Sequence, residues 1–170
     1  MKKNFVFLLA SGFILMFCGI AHAETSPVPN IKANGSDGPI ELSTGETLNV
    51  TISLNAGDHA NEAADWWILQ MTPDGNLYYF DLGTLSMMAG YAPTLQAGLV
   101  SFADIQILSL SGLQEGLHFF YFGVDLTMNG DLDIDSLYYD YVQVNVKDGG
   151  TPSTYTNSLG QTFVLLPAGT

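Results

Sequence analysis

The sequence predicts an all-β sandwich. From Pro39 onward, short runs of alternating apolar and polar residues are separated by clusters of Gly, Asn, Asp and Pro, and no segment carries a sustained apolar stripe of 3.6-residue period. The elements follow in order. Ile40 to Leu42 is a short edge strand. Leu48, Val50, Ile52 and Leu54 alternate with Asn49, Thr51 and Ser53, which describes a strand with one face buried. Trp66 to Thr72 is the next strand, ended by Pro73-Asp74-Gly75-Asn76. In that turn Pro fixes φ, Asp can accept from the backbone two residues on, and Gly supplies positive φ. Asn76 to Leu82 returns as the hairpin partner. Ile105 to Leu110 and Leu117 to Leu126 follow, joined by the Ser111-Gly112 and Glu115-Gly116 corners. Leu137 to Val146 closes the set, with Tyr138, Asp140, Val142, Val144 and Val146 on one face and Tyr139, Tyr141, Gln143 and Asn145 on the other. Gly83 to Gly98 mixes apolar and turn residues and reads as a long loop with a short strand.

About seven strands at this spacing give an immunoglobulin-like or fibronectin-type sandwich over residues 38–147. Residues 24–37 read as an N-terminal segment outside it. Residues 148–155, rich in Gly, Ser, Thr and Pro, read as a linker.

The N-terminus reads as a secretory signal peptide over residues 1–23. Lys2 and Lys3 form its basic end, Phe5 to Ile20 its apolar run, and Ala21-His22-Ala23 an A-x-A cleavage site. A secreted or periplasmic location follows. The only cysteine, Cys18, falls inside this segment, so the exported chain has no disulfide and its stability comes from the core or from bound metal. Cleavage leaves Lys32 and Lys147 against all 17 carboxylates, a net charge of −15. That balance excludes nucleic acid and anionic membrane surfaces as partners and makes cations the natural complement.

One acidic loop stands out. Asp125, Thr127, Asn129, Gly130, Asp131 and Asp133 occupy the first, third, fifth, sixth, seventh and ninth places of an EF-hand calcium loop. Ser136 stands at the twelfth, where a bidentate Glu would complete the coordination, so Asp135 or a neighbouring loop must supply another carboxylate. In a sandwich the loop entering the third strand lies at the same end and carries Asp58, His59, Glu62 and Asp65. The expected calcium ligands are therefore Asp125, Thr127, Asn129, Asp131, Asp133, Asp135 and Asp65. The alternative is a solvated acidic hairpin loop that turns at Asn129-Gly130.

Other chemistry finds little support in the residues. His59 and His118 are the only histidines after the cleavage site, no G-x-S-x-G elbow accompanies them, and no cysteine nucleophile remains. Tyr78, Tyr79, Phe80, Tyr138, Tyr139 and Tyr141 fall on adjoining strands and suggest a glycan-binding face, though strand aromatics also serve as cross-strand pairs and core. The expected function is a noncatalytic accessory or interaction module, with calcium, an extracellular protein or a glycan as partner.

Three stretches resemble known sequences. Leu113 to Phe122 resembles the L-x-x-G-x-Y-x-F-x-F corner before the sixth strand of many immunoglobulin-like modules, with His118 in the tyrosine-corner place, which implies a structural bond back to the corner backbone. Ala33 to Val146 resembles an uncharacterised accessory module of secreted bacterial multidomain proteins, through A-D-W-W at Ala64 to Trp67 and Y-F-G-V-D-x-x-x-N-G-x-L-D at Tyr121 to Asp133. Thr156 to Thr170, TNSLGQTFVLLPAGT, resembles the first strand of the formylglycine-generating sulfatase-modifying enzyme family, with Gln161 where Met is more common. That last resemblance implies a second, oxidase-like domain whose catalytic cysteines would lie beyond Thr170, acting in a copper-dependent oxidation of a sulfatase cysteine.

Overall fold

A computed structural model describes residues 24–149 and 153–165. The signal peptide expected at 1–23 and the final Pro-Ala-Gly-Thr lie outside the described residues. Strands β1 (Val28–Ala33), β3 (Thr47–Asn55) and β8 (Phe102–Ser111) form a small antiparallel sheet in the order β1-β3-β8. The larger sheet runs β2 (Ile40–Ser43), β10 (Leu137–Lys147), β9 (Gly116–Asp125), β4 (Ala63–Met71), β5 (Leu77–Asp81) and β6 (Ser86–Ala89). β7 (Leu95–Gly98) joins it by pairing with the first half of β4. This is the immunoglobulin order: strands equivalent to A, B and E face a sheet of A′, G, F, C, C′ and C″.

The sandwich begins earlier than residue 38. β1 lies inside the segment 24–37 that the sequence left outside the fold, and it pairs with β3 from Val28↔Asn55 to Ala33↔Val50. Pro29 hides it, because Pro argues against a strand interior, yet an edge strand tolerates it and Pro29, Ile31 and Ala33 all face inward. The chain then crosses at Gly38-Pro39 to the other sheet, where β2 runs parallel to β10. Gly38 is required there: its φ is +87° and a Cβ would sit 2.7 Å from Val142 Cγ2. Asp140 of β10 accepts from the Ile31 backbone N–H at 3.0 Å and so ties β1 across the sandwich.

Gly83 to Gly98 holds two short strands, β6 and β7, rather than one. The expected linker also ends in structure. β11 (Ser153–Thr156) pairs with β12 (Thr162–Leu165) in a separate hairpin, closed by Asn157 Oδ1, which accepts from the N–H groups of Leu159 and Gln161 at 3.0 Å each.

The core lies between the sheets. Leu48, Val50, Ile52 and Leu54 of β3 meet Phe120, Phe122 and Val124 of β9 and Val142, Val144 and Val146 of β10, all buried. Full burial stabilises each such side chain by about 1.5–3 kcal/mol. The alternation read from the sequence is the alternation that packs, since period-two strands present one residue in two to the core.

Candidate functional site

The alternation of β4 and β9 sets the site. Trp66, Ile68, Phe122 and Val124 point into the core, so Asp65, Trp67, Leu69, Tyr121, Gly123 and Asp125 lie on the outer face of the larger sheet. Asp65 and Asp125 are cross-strand partners, and both are completely buried. Asp65 therefore belongs to strand β4, not to the loop before it.

Each carboxylate is filled by donors from the chain itself. Asp125 Oδ1 accepts from the Thr127 N–H at 2.9 Å and from Ser136 Oγ at 2.6 Å, and its Oδ2 accepts from the Asp133 N–H at 2.7 Å. Asp65 Oδ2 accepts from the N–H groups of Asn129 and Gly130 at 3.1 and 2.7 Å, while Gln96 Nε2 donates to Oδ1 at 2.7 Å. Charge-assisted bonds of this kind offset the desolvation of a buried carboxylate. They also pin the loop 126–136 at both limbs.

The other expected ligands do not converge on this pair. The side chain of Asn129 donates to Asp133 Oδ2 at 2.8 Å, Thr127 Oγ1 pairs with Ser136 Oγ at 2.9 Å, and Asp131 and Asp135 are exposed. Asp58 turns to the Thr25 N–H at 2.7 Å, and Glu62 pairs with His59 Nδ1 at 2.9 Å. Among the described residues no three His, Cys, Asp or Glu side chains form a metal-binding group.

What the latched loop does build is a wall. Leu132 and Ile134 stand beside a groove of about 360 Å³ whose floor is Trp67, Leu69 and Tyr121, and whose rims include Tyr91 and Tyr139. Tyr91 stacks on Trp67 with ring centroids 5.0 Å apart. Burial pushes the Tyr91 hydroxyl up, and the Asp131, Asp125 and Asp133 charges add to it, against a hydrogen bond from the Leu132 backbone. Gly123 keeps the floor low, since a Cβ there would come within 3.0 Å of Tyr138 O and Tyr139 Cβ. The indole N–H of buried Trp67 has no acceptor among the described residues. The aromatic surface continues along the sheet through Phe119, Tyr121 and Tyr141, with centroids 5.9 to 6.3 Å apart. Of the tyrosines and Phe80 read as a glycan face, Tyr139 and Tyr141 are exposed here, whereas Phe80 belongs to the core and Tyr138 packs against it.

No family model matches the sequence, and no curated protein matches it significantly. Among solved structures the chain is similar to the CARDB domain of a Pyrococcus furiosus protein, crystallised in complex with di-metal ions. The likeness has 13% identity and a TM-score of 0.42 and covers 73% of this chain and 90% of that one. The immunoglobulin-like assignment rests on the strand order itself.

His118 is buried, with Nε2 against the Gln114 carbonyl at 2.8 Å and Nδ1 against Gln70 Nε2 at 3.2 Å, which makes the Nε2–H tautomer the one that satisfies both partners. This is the corner bond that its place in the sequence implies. The groove was missed in the sequence because Trp67, Tyr91 and Ile134 are far apart in the chain and fall in one strand and two separate loops. The one available signal was the adjacency of Trp66 and Trp67, since neighbours on a strand face opposite sides.

Proposed function

We propose that this chain is an exported, noncatalytic interaction module that binds an apolar segment of another extracellular protein in the groove on the outer face of its larger sheet. The observation that carries the reading is the groove's lining. Aromatic and aliphatic side chains form its floor and both walls, Ile134 is 81% exposed at the rim, and Tyr139 is 58% exposed. Exposed apolar surface of this kind, walled by a fixed loop, marks a contact site. A sugar site would need convergent polar groups beside its aromatic platform, and here indole and phenol groups are the only polar side-chain groups in the lining.

Asp65 and Asp125 serve in this reading as the anchors of the binding loop rather than as metal ligands. Any attraction of calcium is left to Asp131, Asp133 and Asp135 nearer the surface. His59 and His118 are each engaged by bonds within the chain, which supports a noncatalytic role.

Site-specific photocrosslinking in the exporting cell tests the proposal. A photoreactive residue at Ile134 or Tyr139 should yield a discrete protein adduct that the same residue at Glu46 does not. Crosslinking equal at all three positions would overturn it. Retention on a glycan array, lost in Tyr139→Ala and Tyr141→Ala, would replace the protein partner with a carbohydrate.

A further inference from the structure

The two Trp neighbours open onto different surfaces. Trp67 floors the outer groove, whereas Trp66 lies at the bottom of a second apolar space of about 480 Å³ between the sheets. This slot exists because the smaller sheet is one strand short. Its order ends at β8, so nothing among the described residues occupies the place that the fourth strand of an immunoglobulin sheet takes beside that edge. Phe80 of β5 and Leu95 of β7 line the uncovered space from the larger sheet, and Ile105 and Ile107 line it from β8. Leu82, Leu95, Val100 and Ile105 are each about half exposed at its rim.

We propose that the slot receives an extended strand from a different polypeptide, added along the free edge of β8. Two features select a strand. β8 is ten residues long and among the described residues pairs on one side only, so it presents a row of backbone donors and acceptors that an extended chain satisfies. The slot beside it takes side chains from one face of such a chain, which means apolar residues at alternate positions.

Charge selects the kind of strand. The chain carries a net charge of −13, and Asp104 sits on β8 with Lys32 as its ion-pair partner at 3.0 Å. Lys32 answers that one carboxylate locally, so it is the net charge of the whole chain that an acidic strand approaches against and a neutral or basic one does not. The same argument disfavours a second copy. Two β8 edges would bring together two acidic chains, and the register shifts opposite Val50/Thr51 and Ile52/Leu54 kink β8 away from flat self-pairing. The slot is separate from the outer groove, so this proposal stands or falls independently of that one.

The test is to pan a display library of random nine-residue peptides on the immobilised full chain. Enriched peptides should alternate apolar with polar residues and lack Asp and Glu. Their binding should weaken by about tenfold or more in Ile105→Asp and in Leu95→Lys, and stay within about twofold in Tyr139→Ala. Both slot variants alter exposed side chains, and near-UV circular dichroism confirms that each remains folded. No enrichment, enrichment without alternation, or binding indifferent to both slot variants would overturn the proposal. Light scattering supplies the remaining arm: a doubled mass for the chain alone that Ile105→Asp abolishes assigns the slot to a second copy and likewise overturns it.

Discussion

Asp65 and Asp125 face each other across neighbouring strands, fully buried, and between them hold both limbs of one loop. Two like charges directly opposite destabilise a sheet pair unless something compensates them. Here the compensation is six donors, four of them backbone N–H groups of the loop residues Thr127, Asn129, Gly130 and Asp133. The loop is thus part of the solvation of the pair, and the pair is what shapes the loop.

Removing either carboxylate should therefore cost more than an ordinary surface change. Asp125→Ala orphans the N–H groups of Thr127 and Asp133 and takes from the Ser136 hydroxyl its shortest bond, leaving it Thr127 Oγ1 and the Asp133 carbonyl, and a loss of about 3 kcal/mol is expected. Amide exchange should accelerate from Leu126 to Ser136 while β3 stays protected. A change below about 0.5 kcal/mol in chemical denaturation, the range of a surface substitution, would mean that the latch does not form.

Calcium discriminates between anchors and ligands. The oxygens of Asp65 and Asp125 already accept three hydrogen bonds each, so a cation would have to displace loop N–H groups to reach them. Millimolar calcium, the weak end of extracellular sites, is expected to leave the melting temperature unchanged. A rise that Asp131→Asn or Asp133→Asn abolishes would restore the cation to the loop.

Much of the fold was legible because burial on one face leaves a period-two record. Leu48 to Leu54 and Val142 to Val146 show it plainly, and all seven expected strands are present. β1 carries the same period, with Pro29, Ile31 and Ala33 buried, but over only six residues and with a Pro that argues against a strand, which an edge position tolerates. The acidic loop was legible and its hydrogen bonds were not, because EF-type spacing and a carboxylate that accepts backbone N–H groups draw on the same Asp and Asn residues. Only register could show that Asp65 lies opposite Asp125, and a single sequence does not carry register between strands 60 residues apart.

The His59–Glu62 contact gives a pH dependence with a definite sign. The Glu62 hydrogen bond holds the imidazole above its ordinary value, with the charges of Glu62, Glu24 and Asp58 adding and burial opposing. A value raised in the folded state means that the contact stabilises fully below the unfolded value of about 6.5 and is lost as pH rises through the folded one. Glu62→Gln should move the His59 titration, followed by NMR, to lower pH and remove that part of the stability change. An unmoved midpoint would show that the pair is absent in solution.

The two tryptophans offer a matched comparison, because the same Trp→Phe change removes a made hydrogen bond at one and an unmade one at the other. Trp66 Nε1 donates to the Ala97 carbonyl at 3.2 Å and so helps hold β7 on β4, whereas Trp67 Nε1 is buried without an acceptor among the described residues. Both variants lose similar apolar area. Trp66→Phe also removes a bond between β4 and β7, while Trp67→Phe relieves a buried donor that has no acceptor among the described residues. Trp66→Phe is therefore expected to be the more destabilising by about 1 kcal/mol or more when the two are unfolded in urea side by side. If Trp67→Phe costs as much, its N–H has a partner in solution, and the outer groove above it is the place to look for that partner.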